Sequence, residues 1–299
     1  MSQFITYIHQ FQLGDIVTHK SFKDLTTLKI GGKIKCLYIP HTLDHLVQAM
    51  KYILEKKLPY FVIGKGSNIL ASDEPFEMIV ISLEYLNRIV ELKPGVFQVA
   101  SGVTGAHLAT HLSKLGYTKM EFLSTIPGSI GGLIYMNAGA YHEEIANLIQ
   151  EVTYLEDGKL KTYTKKDCQF GYRKSIFQEK QGIIIEAIFC VDKAASAQLP
   201  LEKMITYKKS RKETQPIGQN TAGSTFKNTP TRKAWEVIDT LGLRGYAVHD
   251  ARISYKHANF LINEKEATFQ DMMDLIEFIQ QKALHEKHIQ LECEWVILR

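Results

Sequence analysis

Apolar residues at Leu43, Leu46, Val47, Met50, Ile53 and Leu54 recur three and four apart, the period of one helix face, and Thr42 before them suits an N-cap. The apolar runs Ile34 to Ile39 and Tyr60-Phe61-Val62-Ile63 flank that stretch, so residues 34 to 63 read as strand, helix, strand. Three more β-like runs follow, Met78 to Ile81, Ile89 to Leu92 and Val96 to Ala100, with a Pro94-Gly95 turn between the last two. A helix is predicted over Thr104 to Leu115, ended by Gly116. Ile149 to Leu155 and Leu160 to Tyr163 flank Glu156-Asp157-Gly158-Lys159, a hairpin signal because Asp-Gly suits positive φ. A strand over Ile183 to Val191 closes this half. Residues 194 to 200 read as a boundary, and a cationic helix over Leu201 to Lys212 leads onward. Helices near Lys233 to Leu241 and Thr268 to Lys287, with short strands near Phe260 and Leu291, complete an α+β pattern without internal repeats.

Two glycine-rich clusters interrupt this pattern. Ile126 to Tyr141 frames four glycines with apolar and small residues, and Gly64-Lys65-Gly66-Ser67-Asn68 directly follows the strand-like run at 60 to 63. Neither has the spacing of a Walker loop or of a Gly-x-Gly-x-x-Gly fingerprint. Each alone fits a structural turn. Together they favour a large phosphate-bearing cofactor approached by backbone N–H groups, with Ser67, Asn68 and Ser129 adding donors.

Composition narrows the class. The 299 residues are 45% apolar and 23% charged, enough for two or three domains. Met1 to Ile16 lacks the cationic start and apolar stretch of a signal peptide, so the N-terminus reads as retained and a cytoplasmic location is expected. The longest apolar run, Ile183 to Val191, is interrupted by Glu186 and falls far short of the roughly 20 residues that span a bilayer. Cys36, Cys168, Cys190 and Cys293 are scattered without Cys-x-x-Cys spacing, which fits small core hydrophobes in a reducing compartment. A net charge of +4 from dispersed basic residues gives no nucleic-acid surface. His107 and His111 are four apart on one helix face, but no further ligand accompanies them, and no metal is expected.

Candidate chemistry lies in three later segments. Arg173, in Phe170-Gly171-Tyr172-Arg173-Lys174-Ser175, can grip a carboxylate bidentately and stabilise charge building on it, or be an ordinary exposed arginine. Ser224, after Gly223, can present a proton-donating hydroxyl or simply shape a turn. Glu292 and Glu294 sit two apart on an expected strand, which puts both on one face and Cys293 and Trp295 on the other. Lys208, Lys209, Arg211 and Lys212 can neutralise a diphosphate or form a solvated helix end.

Taken in order, Thr27 to Gly32, Gly64 to Leu70, Ile126 to Tyr141, Gly171 to Phe177, Gln215-Pro216, Ala222 to Asn228, Gly242 to Gly245, Ser254 to Phe260 and Leu291 to Glu294 resemble the FAD-dependent UDP-N-acetylenolpyruvoylglucosamine reductase (MurB) family, in its short form. The resemblance spans nearly the whole chain. It implies a two-part FAD-binding domain of the vanillyl-alcohol-oxidase (PCMH) type, residues 1–72 and 73–197, followed by an α+β substrate domain, 198–299. It implies Arg173, Ser224 and Glu294 as catalytic residues. FAD would be held by Gly64, Lys65, Gly66, Ser67, Asn68, Pro127, Gly128, Ser129, Gly131, Gly132, Asn137, Ala138, Gly139 and Ala140. The substrate would meet Tyr172, Lys208, Arg211, Lys212, Gln215 and Asn228. The implied reaction is ping-pong: NADPH reduces the flavin and leaves, then UDP-N-acetylglucosamine enolpyruvate binds and is reduced to UDP-N-acetylmuramate for peptidoglycan. A monomer is expected.

The chain departs from the family pattern at three places. His142-Glu143 and His249-Asp250 stand where glycine pairs are usual, so an altered backbone is expected near the cofactor, and the arginine that often follows the Leu-Glu-x-Glu motif is absent. Competing readings are another flavin oxidase or dehydrogenase on the same fold, and a nucleotide-sugar-binding protein without turnover.

Overall fold

The computed structural model describes residues 1–299. The chain divides into two compact units, each gathered from separate stretches: unit 1 from Met1–Thr18, Lys35–Lys65 and Glu77–Lys209, and unit 2 from His19–Ile34, Gly66–Phe76 and Ser210–Arg299.

Unit 1 holds two larger sheets, of four and five strands. In the first, strands run in the order Asp15–Val17, Ile34–Ile39, Phe76–Ser82, Tyr60–Ile63; the first pair is antiparallel and the last parallel. The helix Leu43–Glu55 starts where the pattern placed it, since Thr42 Oγ1 accepts from His45 N at 3.2 Å and satisfies an otherwise orphaned amide. Its buried stripe, Leu46, Ala49, Met50 and Ile53, packs with Tyr38, Ile79 and Ile81 of the sheet and with Phe4 and Ile8 of a helix, Ser2–Phe11. The second sheet is antiparallel throughout, in the order Lys159–Thr164, Ile149–Glu156, Ile183–Cys190, Val96–Ala100, Ile89–Lys93. Its first hairpin turns on Asp157 (φ 52) and Gly158 (φ 72), two left-handed residues whose twist matches that of the strands. The helix Gly105–Lys114 lays Leu108, Ala109 and Leu112 into that core.

Unit 2 is built on a three-stranded antiparallel meander, Ala247–Val248, Ala251–Ile253 and Leu261–Asn263. The helices Ala234–Thr240 and Phe269–Lys287 share its core. The longer helix opens with a reciprocal capping box between Thr268 and Asp271. A two-stranded parallel pair joins Ile69–Ala71 to Val296–Leu298.

Three expectations are corrected. The cationic helix runs Gln198–Thr214, absorbing residues 198 to 200 of the expected boundary; Pro200 falls in its first turn, where a missing N–H breaks no bond. No strand forms at Leu291: residues 291 to 294 are irregular, with one isolated bridge between Phe226 and Cys293, and regular pairing begins at Val296. Glu292 and Glu294 are consequently not equivalent, Glu292 being exposed and bound to Lys227, and Glu294 half-buried. Finally, Cys36 and Cys168 are buried and Cys293 half-buried, but Cys190 is exposed on the last residue of its strand. Among the elements that went unread are the helix Ser2–Phe11, the strands Asp15–Val17 and Ile69–Ala71, the first two strands of the meander in unit 2, and the helix Ile130–Tyr135 inside the glycine-rich segment.

Candidate active site

In unit 1 the strand Tyr60–Ile63 delivers Gly64 and Lys65, both exposed, to the second glycine cluster. A Cβ at Gly64 would lie 2.3 Å from Ser129 Oγ, so the two loops touch at a point where the Ser129 hydroxyl fills the space a side chain at 64 would need. Ser129 is buried, and the amides after it are spent internally: Ile130 N donates to Val103 O at 2.7 Å and Gly131 N to Ser101 O at 3.0 Å. Gly132 differs. It is exposed, and a Cβ there would meet nothing nearer than Ser129 Oγ at 3.7 Å. Gly64, Lys65, Pro127 and Gly132 thus form an exposed rim of backbone and small residues, the kind of surface against which a flat, phosphate-bearing cofactor can lie. Such a rim fits FAD.

The same segment continues into a second loop that reaches Arg173. Asn137 is fully buried and left-handed (φ 41); its Nδ2 donates to Gly171 O at 2.8 Å and its Oδ1 accepts from Ala146 N at 3.2 Å. Gly139–Ala140 pairs antiparallel with Glu143–Glu144 through a tight turn at Tyr141 (φ 56) and His142 (φ 65). His249 (φ 48), at the other place where glycine was expected, is left-handed too. Both histidines therefore adopt the left-handed conformation that glycine takes most easily, at some cost in strain. His249 Nδ1 meets Asp271 Oδ1 at 2.6 Å, and that carboxylate raises the imidazole's pKa.

Arg173 sits in a turn closed by reciprocal hydrogen bonds of 3.0 Å between Gly171 and Lys174. It is left-handed (φ 54) and half-buried, and its Nη2 donates to Gly139 O at 3.0 Å. The guanidinium also lies 5.1 Å from the Tyr172 ring, a cation–π contact with a half-exposed aromatic face. Unit 1 thus places Arg173 against the glycine loop that the sequence assigned to the cofactor.

Unit 2 brings Ser67, Asn68, Ser224 and Glu294 onto adjoining segments. Asn68 Nδ2 donates to Glu294 O at 3.1 Å, and Val296 N donates to Asn68 O at 2.9 Å. Glu294 N in turn donates to Thr225 O at 2.8 Å, one residue beyond Ser224. Gly223 (φ 82) turns the chain into Ser224, with only Ser67 O, at 4.0 Å, near a Cβ position there. Ser224 and Glu294 are both half-buried. The serine's segment is pinned from behind by Asn259, which is buried and clamps Phe226 at both backbone groups, 2.9 Å from its N and 2.8 Å to its O. His257 Nδ1 accepts from Asn259 N at 3.3 Å; burial and the Arg244 charge push that imidazole down to about 4, so it is a neutral acceptor. Sequence reasoning missed Asn259 as a positioning residue, although it lies within the Ser254 to Phe260 segment.

The remaining candidates are less concentrated. Lys208, Arg211 and Lys212 lie on the last turns of Gln198–Thr214, with Lys208 and Lys212 exposed. Gln215 follows that helix and buries Oε1 without a partner. Asn228 is exposed, and its Oδ1 accepts from Ala234 N at 3.0 Å, at the start of Ala234–Thr240. No group of three or more His, Cys, Asp or Glu is arranged to hold a metal ion. No helix is long and apolar enough to cross a membrane.

Residues 34–163 match the family described as FAD binding domain, and residues 215–298 that described as UDP-N-acetylenolpyruvoylglucosamine reductase, C-terminal domain. Fold and site together define an FAD-dependent oxidoreductase, an FAD-binding domain of the vanillyl-alcohol-oxidase type followed by an α+β C-terminal domain. The UDP-N-acetylenolpyruvoylglucosamine reductase of Petrotoga mobilis is 38% identical over 94% of this chain and 94% of its own. That of Bacillus subtilis is 34% identical over 96% and 95%. The crystal structure of the reductase (MurB) from Thermus caldophilus aligns with a TM-score of 0.81 at 31% identity, covering 95% of this chain and 98% of that one. The chain belongs to the UDP-N-acetylenolpyruvoylglucosamine reductase family.

Proposed function

We propose that this protein reduces UDP-N-acetylglucosamine enolpyruvate to UDP-N-acetylmuramate with NADPH as reductant, in the synthesis of peptidoglycan precursors. The observation that carries the reading is the hydrogen bond from Glu294 N to Thr225 O, which sets a carboxyl-bearing and a hydroxyl-bearing residue on neighbouring segments of one unit, in a chain of this family. Bound FAD supplies the hydride for the terminal vinyl carbon. Arg173 holds the substrate carboxylate and stabilises the enolate-like charge that builds there. Glu294, protonated, donates a hydrogen bond to the same carboxylate, and Ser224 protonates the adjacent carbon. Lys208, Arg211 and Lys212 neutralise the diphosphate, while Tyr172, Gln215 and Asn228 complete the substrate contacts.

In this reading residues 1–72 and 73–197 hold FAD through Gly64 to Asn68 and Pro127 to Ala140, and residues 198–299 bind the sugar nucleotide. The protein acts as a cytoplasmic monomer.

Visible absorbance under anaerobic conditions tests the assignment. Yellow flavin bands are expected to bleach with NADPH and return with the enolpyruvyl sugar; bleaching without return would assign the protein to another flavin-dependent substrate. The rim is tested by Gly64→Val, whose side chain has no space beside Ser129. FAD affinity is expected to fall roughly 10- to 100-fold, the equivalent of the 1–3 kcal/mol that overpacking costs. A fluorescence titration giving the wild-type affinity would remove this loop from the cofactor site.

A further inference from the structure

Arg173 holds a backbone conformation that a residue with a Cβ keeps only where its surroundings impose it. Backbone bonds between Gly171 and Lys174 close the turn, and one side chain holds the carbonyl of Arg173 itself. Gln178 ends the short 3₁₀ turn Ile176–Gln178, and its Nε2 donates to Arg173 O at 3.1 Å and to Tyr135 O at 2.8 Å. Tyr135 closes the helix Ile130–Tyr135, whose last carbonyls have no intrahelical partner. Ser175 Oγ donates to the same carbonyl at 2.8 Å. One half-buried amide therefore ties the left-handed arginine to the end of the helix that grows from the glycine cluster. Asn137 fixes the start of the same turn at Gly171 O.

We propose that Gln178 is a positioning residue for Arg173: by holding the arginine carbonyl it fixes the left-handed turn, and so aims the guanidinium before the substrate carboxylate arrives. The inference rests on the reading of Arg173 as the carboxylate-binding residue. A guanidinium that is already aimed spends none of its interaction with the developing charge on reorganisation. Without the amide donor, the turn relaxes toward negative φ and the guanidinium leaves Gly139 O.

The chemistry asks for a donor at position 178 and nothing else. Gln178→Met keeps the length and removes the donor; Gln178→Lys keeps a donor; Gln178→Glu turns an acceptor toward two carbonyls. With Gln178→Met, flavin reduction by NADPH is expected to be unchanged, while reoxidation by the enolpyruvyl sugar slows about 10- to 100-fold, the scale on which small misplacements act. Calorimetry supplies a readout independent of turnover. Affinity for UDP-N-acetylmuramate is expected to fall about tenfold, while UDP-N-acetylglucosamine, which lacks the carboxylate, binds as before. Gln178→Lys is expected to restore most of both losses.

Wild-type reoxidation by Gln178→Met, equal loss in both half-reactions, or equal weakening of both nucleotide sugars would overturn the proposal. If the methionine variant does not fold, Lys and Glu variants that behave alike would overturn it as well. Failure of the wild-type protein to reoxidise with the enolpyruvyl sugar is a different result, and removes the proposed function instead.

Discussion

Replacing Ser224 with alanine is expected to leave bleaching of the flavin by NADPH intact and to slow its reoxidation by the enolpyruvyl sugar about 10²- to 10⁴-fold, the contribution of one positioned general acid. The two half-reactions separate the chemistry of this hydroxyl from its architecture. NADPH gives up a hydride and needs no proton placed on a carbon of the substrate, whereas the α-carbon of the enolpyruvyl group must receive one. The backbone around Ser224 does not depend on its hydroxyl: Thr225 N donates to Asn259 O at 2.8 Å, and Asn259 holds Phe226 on both sides. Alanine should therefore fit the same turn. Stopped-flow absorbance decides the point, and equal slowing of both halves would count against Ser224 as the proton donor.

Arg173→Met is expected to produce a loss of about 10²- to 10³-fold in the same oxidative half-reaction, the range found when one group stabilising a developing negative charge is removed. Lysine should not substitute well. Its compact ammonium cannot make the two parallel bonds that the planar guanidinium offers a carboxylate while another guanidinium N–H stays on Gly139 O. The check is the split between kcat and KM in steady state, with Arg173→Lys alongside. Full activity of the lysine variant would reduce Arg173 to a generic cation.

The contrast between what the sequence shows and what it hides follows from the range of the interactions involved. The helix Leu43–Glu55 and the hairpin at Asp157-Gly158 are specified by neighbours in the chain, a capping threonine and a pair of residues suited to positive φ, and both could be read directly. The helix Ile130–Tyr135 could not, because Gly131 and Gly132 argue against a helix locally and the contacts of Ile130 N and Gly131 N with Val103 and Ser101 come from elsewhere. Leu291 to Glu294 alternates like a strand, yet its ladder is limited to the bridge at Phe226. Arg173, Ser224 and Glu294 are ordinary residue types whose proposed roles come from resemblance across the chain. Their physical distinction, a left-handed φ at Arg173 and a backbone bond between the segments of Ser224 and Glu294, exists only after folding. The grouping of stretches into units is equally invisible, since Gly66–Phe76 joins Ser210–Arg299 by contact alone.

The parallel pairing of Ile69–Ala71 with Val296–Leu298 sets a timetable for biosynthesis. The first strand leaves the ribosome more than two hundred residues before its partner, an interval of roughly 10 to 50 s at ordinary elongation rates. During that time Ile69, Leu70 and Ala71, all buried in the finished molecule, have no ladder to join and present an apolar edge to other nascent chains. Glu294, two residues ahead of the late strand, is set in place by the same pairing. A polypeptide interrupted before Val296 would lack the strand that pairs with Ile69–Ala71, leaving a sticky edge for the quality-control machinery to find.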